Sequence, residues 1–210
     1  MTRTSPQQSI VVLDVEGVLT PEVWIATAEA TGIDELRRTT RDEPDYDVLM
    51  KGRLAALDRG GITMSQIMDV VQLLRPLDGA KEFLDELRSR VPVILLSDTF
   101  EQFGWPLLAH LGRPLLLCHR LVVNDDRIVD YRLRLPDQKR VAVRSFREMN
   151  YRVAAAGDSY NDTTMLAEAD AGFLFHAPPT VVADFPQFPA VESYDDLLVA
   201  LLGASVRAEE

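Results

Sequence analysis

Ile10-Val11-Val12-Leu13-Asp14-Val15-Glu16-Gly17 is the stretch that decides the fold. Four apolar, mostly β-branched residues run without polar alternation, then stop at a carboxylate. A short continuous apolar run describes a strand covered on both faces, as in a parallel sheet. Similar runs lie at residues 92–96, 115–118, 152–156 and 172–175. Helical patterns at 79–90, 100–111, 138–149, 163–169 and 194–202 separate most of them. Alternating strands and helices predict an α/β core with a parallel sheet.

One stretch departs from this rhythm. Between Leu19 and Leu77 there is no good strand pattern, and three helices are expected, near 21–31, 45–59 and 65–74, with a turn at 34–38. Thr20-Pro21 reads as a helix start, Thr capping and Pro at the first helical position. Gly60-Gly61 reads as a helix end. The domain boundaries expected are 9–19 and 78–205 for the core, with 20–77 a helical cap over the strand ends. Residues 121–135 read as a hairpin turning at Asn124-Asp125-Asp126.

Composition limits the function. The chain has 210 residues, and its formal net charge is −11. An acidic surface repels nucleic-acid phosphates and anionic lipid, so neither is expected as a partner. No apolar stretch approaches the length of a membrane helix. Arg3 and polar residues lead into an apolar run cut short at Asp14 and Glu16, which is not a signal-peptide pattern. A single cysteine, Cys118, excludes an internal disulfide; following an apolar run, it reads as a buried, inert thiol. A cytoplasmic protein is expected, and a homodimer is compatible with the sequence.

Three polar clusters follow apolar runs: Asp14-Val15-Glu16-Gly17, Ser97-Asp98-Thr99 and Gly157-Asp158-Ser159-Tyr160-Asn161-Asp162. Each alone is a turn or capping signal. Open parallel sheets bind ligands beyond the carboxyl ends of their strands, so together the clusters predict one site. An ionised Asp14 can attack phosphorus without an activating base and form an acyl phosphate. Two anions then meet, and a hard cation, Mg²⁺ held by Asp14 and Asp158, has to offset the repulsion. Ser97, with nearby N–H groups, suits the phosphate. Glu16 can protonate the leaving alkoxide and later deprotonate the acceptor. Lys139 or Arg140 supplies a cation beside the phosphoryl group. Tyr46, Met50, Arg53 and Leu57 share a helical stripe, and a cation there wants an anionic partner. His110, His119 and His176 show no metal-ligand spacing and read as structural.

Asp14-Val-Glu-Gly-Val, Leu96-Ser-Asp, Lys139 and Gly157-Asp-Ser-Tyr-Asn-Asp162 resemble the four motifs of the haloacid dehalogenase superfamily. Within it they are most similar to the phosphoserine phosphatase branch, and there to the bifunctional phosphoserine–homoserine phosphotransferase group. The likeness spans about residues 9–200 and includes Pro21-Glu-Val-Trp-Ile-Ala and the segment 40–51. It implies a three-layer, Rossmann-like α/β core with an inserted helical cap. It also implies Asp14 as nucleophile, with Asp14, Asp158 and the Glu16 main-chain carbonyl as Mg²⁺ ligands. Ser97 and Lys139 would hold the phosphoryl group, Asp98 stands among the substrate-binding residues, and Asp162 would orient Lys139 or metal-bound water. Glu22 matches the position that takes the substrate ammonium, Arg53 its carboxylate, and Asn161 a further substrate contact. The wider superfamily carries Asp where this chain has Glu16, and Glu there is shared with the phosphotransferase group. The function expected is phosphoserine hydrolysis with transfer to homoserine as an alternative to water. Another small phosphomonoester, or a non-enzymatic phospho-receiver module, are the rival readings.

Overall fold

Strand β1 (Ser9–Leu13) sends alternate side chains to opposite sides, as the pleat requires. Val11 and Leu13 enter one apolar cluster, Ile10 and Val12 another. Both faces are therefore covered, which explains the unbroken apolar run. The computed structural model describes residues 8–40, 42–43 and 45–205. Arg3 at the start of the chain, and Arg41 and Pro44 of the segment 40–51, lie outside them.

After β1 come α1 (Val23–Thr31), a 3-10 turn (Asp34–Arg37), α2 (Tyr46–Gly60) and α3 (Met64–Leu73). Then follow α4 (Ala80–Arg90), β2 (Val93–Phe100), α5 (Glu101–Leu107), β3 (Leu116–Asn124) and β4 (Arg127–Arg132). The chain continues through α6 (Gln138–Glu148), β5 (Arg152–Gly157), α7 (Thr163–Glu168), β6 (Ala171–Phe175), α8 (Pro179–Asp184), β7 (Ala190–Val191) and α9 (Tyr194–Ser205). The seven strands form one sheet in the order β4-β3-β2-β1-β5-β6-β7. Every neighbouring pair is parallel except the β3–β4 hairpin. Side chains of α4 and α9 pack on one face, and those of α6, α7 and α8 on the other. That is the three-layer α/β architecture the sequence predicts.

A third cluster lies under α1, α2 and α3. It joins Trp24, Met50, Leu57 and Ile67 to Phe100, Phe103 and Leu121 of the core elements. The helical segment is thus seated on α5 and the hairpin by shared apolar burial. The edge-to-face contacts of Trp24 with Phe100 and Phe103 strengthen that seat.

Four local expectations change. The first helix begins at Val23 with Glu22 at its cap position, not at Thr20-Pro21. Thr20 closes a turn instead, its main chain bonded to Val15 and Gly17. Phe100 ends β2 rather than opening a helix, and past Pro106 the helix tightens to a 3-10 turn (Leu108–Leu111). Proline lacks an N–H for the α pattern, which favours that tightening. The run at 115–118 and the first arm of the hairpin form one strand, β3, because polar His119 and Arg120 interrupt the pattern without ending the ladder. The hairpin turns at Asp125-Asp126, both left-handed, as a two-residue turn requires. The elements α8 and β7 are too short to have shown any periodicity.

Candidate active site

The register of the sheet brings the three polar clusters together. Leu13 of β1 pairs with Leu95 of β2 and Ala156 of β5. Asp14, Ser97 and Gly157-Asp158 consequently emerge at one edge, and Asp14 N–H donates to the Ala156 carbonyl at 3.0 Å.

Lys139 is the hub. It occupies the first turn of α6, where a cation opposes the helix dipole. Two buried carboxylates compensate: its ammonium donates to Asp14 Oδ1 at 2.8 Å and Asp162 Oδ1 at 2.7 Å. Asp98 Oδ2 lies 3.6 Å away. Burial alone would lower the Lys139 pKa, but Asp14, Asp162 and Asp98 overcome it and raise the value well above the usual one. Asp162 Oδ2 accepts the N–H groups of Asp158 and Ser159 at 3.0 and 3.1 Å. Both of its oxygens are engaged by protein donors.

Two glycines permit this crowding. A Cβ on Gly157 would meet Asp162 at 2.4 Å. A Cβ on Gly17, where φ is +84°, would meet Asp158 at 2.5 Å.

Asp14, Asp158 and Asp162 can each present a carboxylate oxygen within 4.8 Å of the others. Burial, then Asp162, pushes the Asp14 carboxyl well above its ordinary range against the pull of Lys139. The cluster is short of positive charge. Its all-oxygen anionic donors suit a hard divalent cation.

Glu16 faces the same pocket and accepts from Thr99 Oγ1 at 2.9 Å. Burial, reinforced by Glu22, raises its pKa to about 8. Arg53, buried on α2, donates to the Arg38 carbonyl at 2.7 Å and lies over the Trp24 ring at 5.0 Å. Its Nε has no hydrogen-bond partner among the described residues. Glu22, Ser97, Asp98 and Asn161 complete the lining. All eight predicted catalytic and substrate-contacting residues therefore share one cavity, with Asp158 and Asp162 behind it. The cavity is ≈60 Å³.

Sequence reasoning missed Trp24, Thr99 and His119. Trp24 and Thr99 stood inside quoted motifs but carried no chemical signal of their own. His119 looked structural. It is buried, and its Nε2 lies 3.3 Å from Asp98 Oδ1. Asp98, which lines the cavity as expected of a substrate-binding residue, is also tied to its neighbours. Burial would raise its carboxyl, but Lys139, His119 and Asn161 hold it well below the usual range. Both oxygens face protein donors, Asn161 Nδ2 among them at 3.0 Å, so this side chain holds its neighbours. Cys118 is buried, its thiol pushed up to about 11, in keeping with an inert role.

Among the described residues no helix is long and apolar enough to cross a membrane. The model of the haloacid dehalogenase-like hydrolases matches residues 9–170. Phosphoserine phosphatase ThrH of Pseudomonas aeruginosa is 58% identical over 200 residues, 95% of this chain and 98% of that protein. A phosphoserine phosphatase of Pseudomonas syringae pv. tomato is 58% identical over 199 residues, 94% of this chain and 84% of its own. Among solved structures, a phospho-aspartyl intermediate analogue of phosphoserine phosphatase superposes with a TM-score of 0.76 at 17% identity, covering 92% of this chain and 98% of that one. A substrate-bound phosphoserine phosphatase gives 0.76 at 18% identity, covering 93% and 98%. At these identities the structural likeness speaks for the fold.

Proposed function

We propose that this chain, which belongs to the haloacid dehalogenase-like hydrolases, is a phosphoserine phosphatase that can also pass the phosphoryl group to homoserine. The observation that carries the reading is one buried pocket holding Asp14, Glu16 and an Arg53 with an unpartnered guanidinium nitrogen. A nucleophile, a proton donor and a receptor for a second anionic group are what a phosphorylated amino acid needs.

Arg53 takes the substrate carboxylate and Glu22 the ammonium. Asp14 attacks phosphorus as the bond to the serine oxygen breaks, and Glu16 gives that oxygen its proton. The phosphoaspartyl group then meets water or the homoserine hydroxyl. Glu16 takes the acceptor proton, the new P–O bond forms, and Asp14 is released. Ser97 and Lys139 hold the phosphoryl oxygens through both steps. Serine and homoserine differ by one methylene, worth only roughly 1–3 kcal/mol of discrimination, so one pocket can serve both.

Mg²⁺ is the cofactor we assign. Asp14 and Asp158 would hold it with the Glu16 main-chain carbonyl, leaving Asp162 to hold Lys139. Bound there, it supplies the positive charge that keeps Asp14 ionised and offsets the phosphate. The helical segment 20–77 serves as the cap, because it contributes Glu22 and Arg53. Glu16 in the pocket and that helical segment set this chain apart from a receiver module. The test is turnover of phosphoserine with Mg²⁺, with and without homoserine, following phosphate and phosphohomoserine. Phosphoserine ranking low in a panel of small phosphomonoesters would transfer the assignment to another substrate.

A further inference from the structure

We infer that His119 is a positioning residue for phosphoryl transfer: through the Asp98 carboxylate it keeps Lys139 and Asn161 aimed at the reacting centre. The inference rests on the phosphoryl-transfer reading above.

The geometry begins with an irregularity in β2. Leu96 pairs with Leu117 and Phe100 with His119, so four steps along β2 oppose two along β3. Such a bulge re-aims side chains and is common beside active sites. Here it lies at Ser97-Asp98-Thr99 and brings Asp98 against His119. The imidazole is buried at 4% exposure. Its Nδ1 accepts the Arg134 N–H at 3.1 Å, so the ring proton is on Nε2, facing Asp98 Oδ1 at 3.3 Å. A ring bonded at one nitrogen and held in one tautomer has its other nitrogen fixed in direction. Gln138 Nε2 also reaches Oδ1, at 3.5 Å, but its stronger bond is to the Ser97 carbonyl at 2.6 Å.

The other oxygen of Asp98 does the positioning. Oδ2 accepts from Asn161 Nδ2 at 3.0 Å and stands 3.6 Å from Lys139 Nζ. That last distance is an ion pair too long for a hydrogen bond. A carboxylate released from His119 can rotate and close that gap. It would then compete with Asp14 and the phosphoryl group for the same ammonium, and let go of Asn161. His119 therefore acts by tethering an anion that would otherwise draw the essential cation away. It does so with a neutral donor, adding no charge to the pocket.

The bland alternative is that His119 only pins the loop before α6 through Arg134. Two substitutions separate the roles. His119→Gln places an amide N–H near the Nε2 position and keeps the donation to Asp98. His119→Asn places a carbonyl near Nδ1 and keeps only the Arg134 contact. We expect His119→Asn to lose roughly tenfold or more in kcat with KM for phosphoserine changed less, and His119→Gln to stay within about threefold. In an Asp98→Asn background, His119→Asn should cost nothing further, since both act through one carboxylate. The Asn161 side-chain amide resonances, assigned by their loss in Asn161→Asp, should shift in His119→Asn and hold in His119→Gln. Activity kept in His119→Asn and lost in His119→Gln, or fully additive losses, would overturn the inference. A wild-type protein that turns over no phosphomonoester would instead sink the functional reading, and the amide resonances would still decide the His119–Asp98 coupling.

Discussion

Gly157→Ala is a single-methyl change whose effect can be worked from the site. The new Cβ would lie 2.4 Å from Asp162 Cγ and 2.6 Å from its Oδ2, where ordinary contact starts at 3.4 Å. Asp162 would have to retreat by about 1 Å, and it is fully buried in a closely packed interior. Its oxygens hold Lys139 at 2.7 Å and two main-chain N–H groups at 3.0 and 3.1 Å. Overpacking costs roughly 1–3 kcal/mol. Loss of a glycine from the unfolded chain offsets about 0.4–1 kcal/mol. A net loss of about 1–2 kcal/mol lowers the melting midpoint by roughly 2–8 °C for a chain of this length. The larger effect is on catalysis. An angstrom of misplacement at a positioning group costs about 100-fold in rate. KM for phosphoserine should move little, because Glu22 and Arg53 are untouched. Phosphate release under saturating substrate and magnesium, with a thermal melt, measures both. Gly52→Ala is the control: it is exposed within α2 and its Cβ meets nothing within 4 Å, so it should be active and slightly more stable. Wild-type kcat and melting in Gly157→Ala would refute the claim that close approach sets the position of Asp162.

Lys139→Met should lower kcat by about 10²–10³-fold. It should also destabilise the fold by roughly 3–5 kcal/mol by leaving buried carboxylates unpaired, and a melt should show Mg²⁺ restoring part of that loss. Glu16, with a folded pKa of about 8 against an ordinary 4.5, is the proton donor only while protonated. The kcat/KM profile should therefore fall above about pH 8, and Glu16→Gln should be slow and lack that limb. The same shift favours the folded state at low pH, a contribution lost as pH rises from 4.5 through about 8. A Glu16→Gln profile that keeps the alkaline limb would assign it elsewhere. Arg53→Met keeps the packing on Trp24 but removes the guanidinium. KM for phosphoserine should rise roughly 10–150-fold, while a chromogenic phosphate without a carboxylate is turned over as before; equal losses on both would argue against a carboxylate receptor.

Apolar runs that end in carboxylates mark buried parallel strands, and such strands place their ends at one edge. The sequence therefore gathers Asp14, Ser97 and Asp158 at one edge, and marks Arg53 as a cation on an apolar stripe. These signals are local or periodic, written in neighbouring residues. Element limits were less legible where the pattern was short or interrupted, as at Phe100, Thr20 and the two-residue β7.

Tertiary structure alone decided which groups meet across long separations. Lys139 reaches Asp14 over 125 positions of chain, and Thr99 reaches Glu16 over 83. Asp98 reads as a substrate contact and lines the cavity, and a bulge in β2 also sets it against His119, Asn161 and Lys139. His119 has no motif because its role depends on a strand register and a loop N–H, neither of which leaves a repeat in sequence. The residue types and their order determined that Asp14 would stand at the end of a buried strand. Packing decided how many charges surround it, since Coulomb energy and desolvation depend on distances that close only when the sheet assembles.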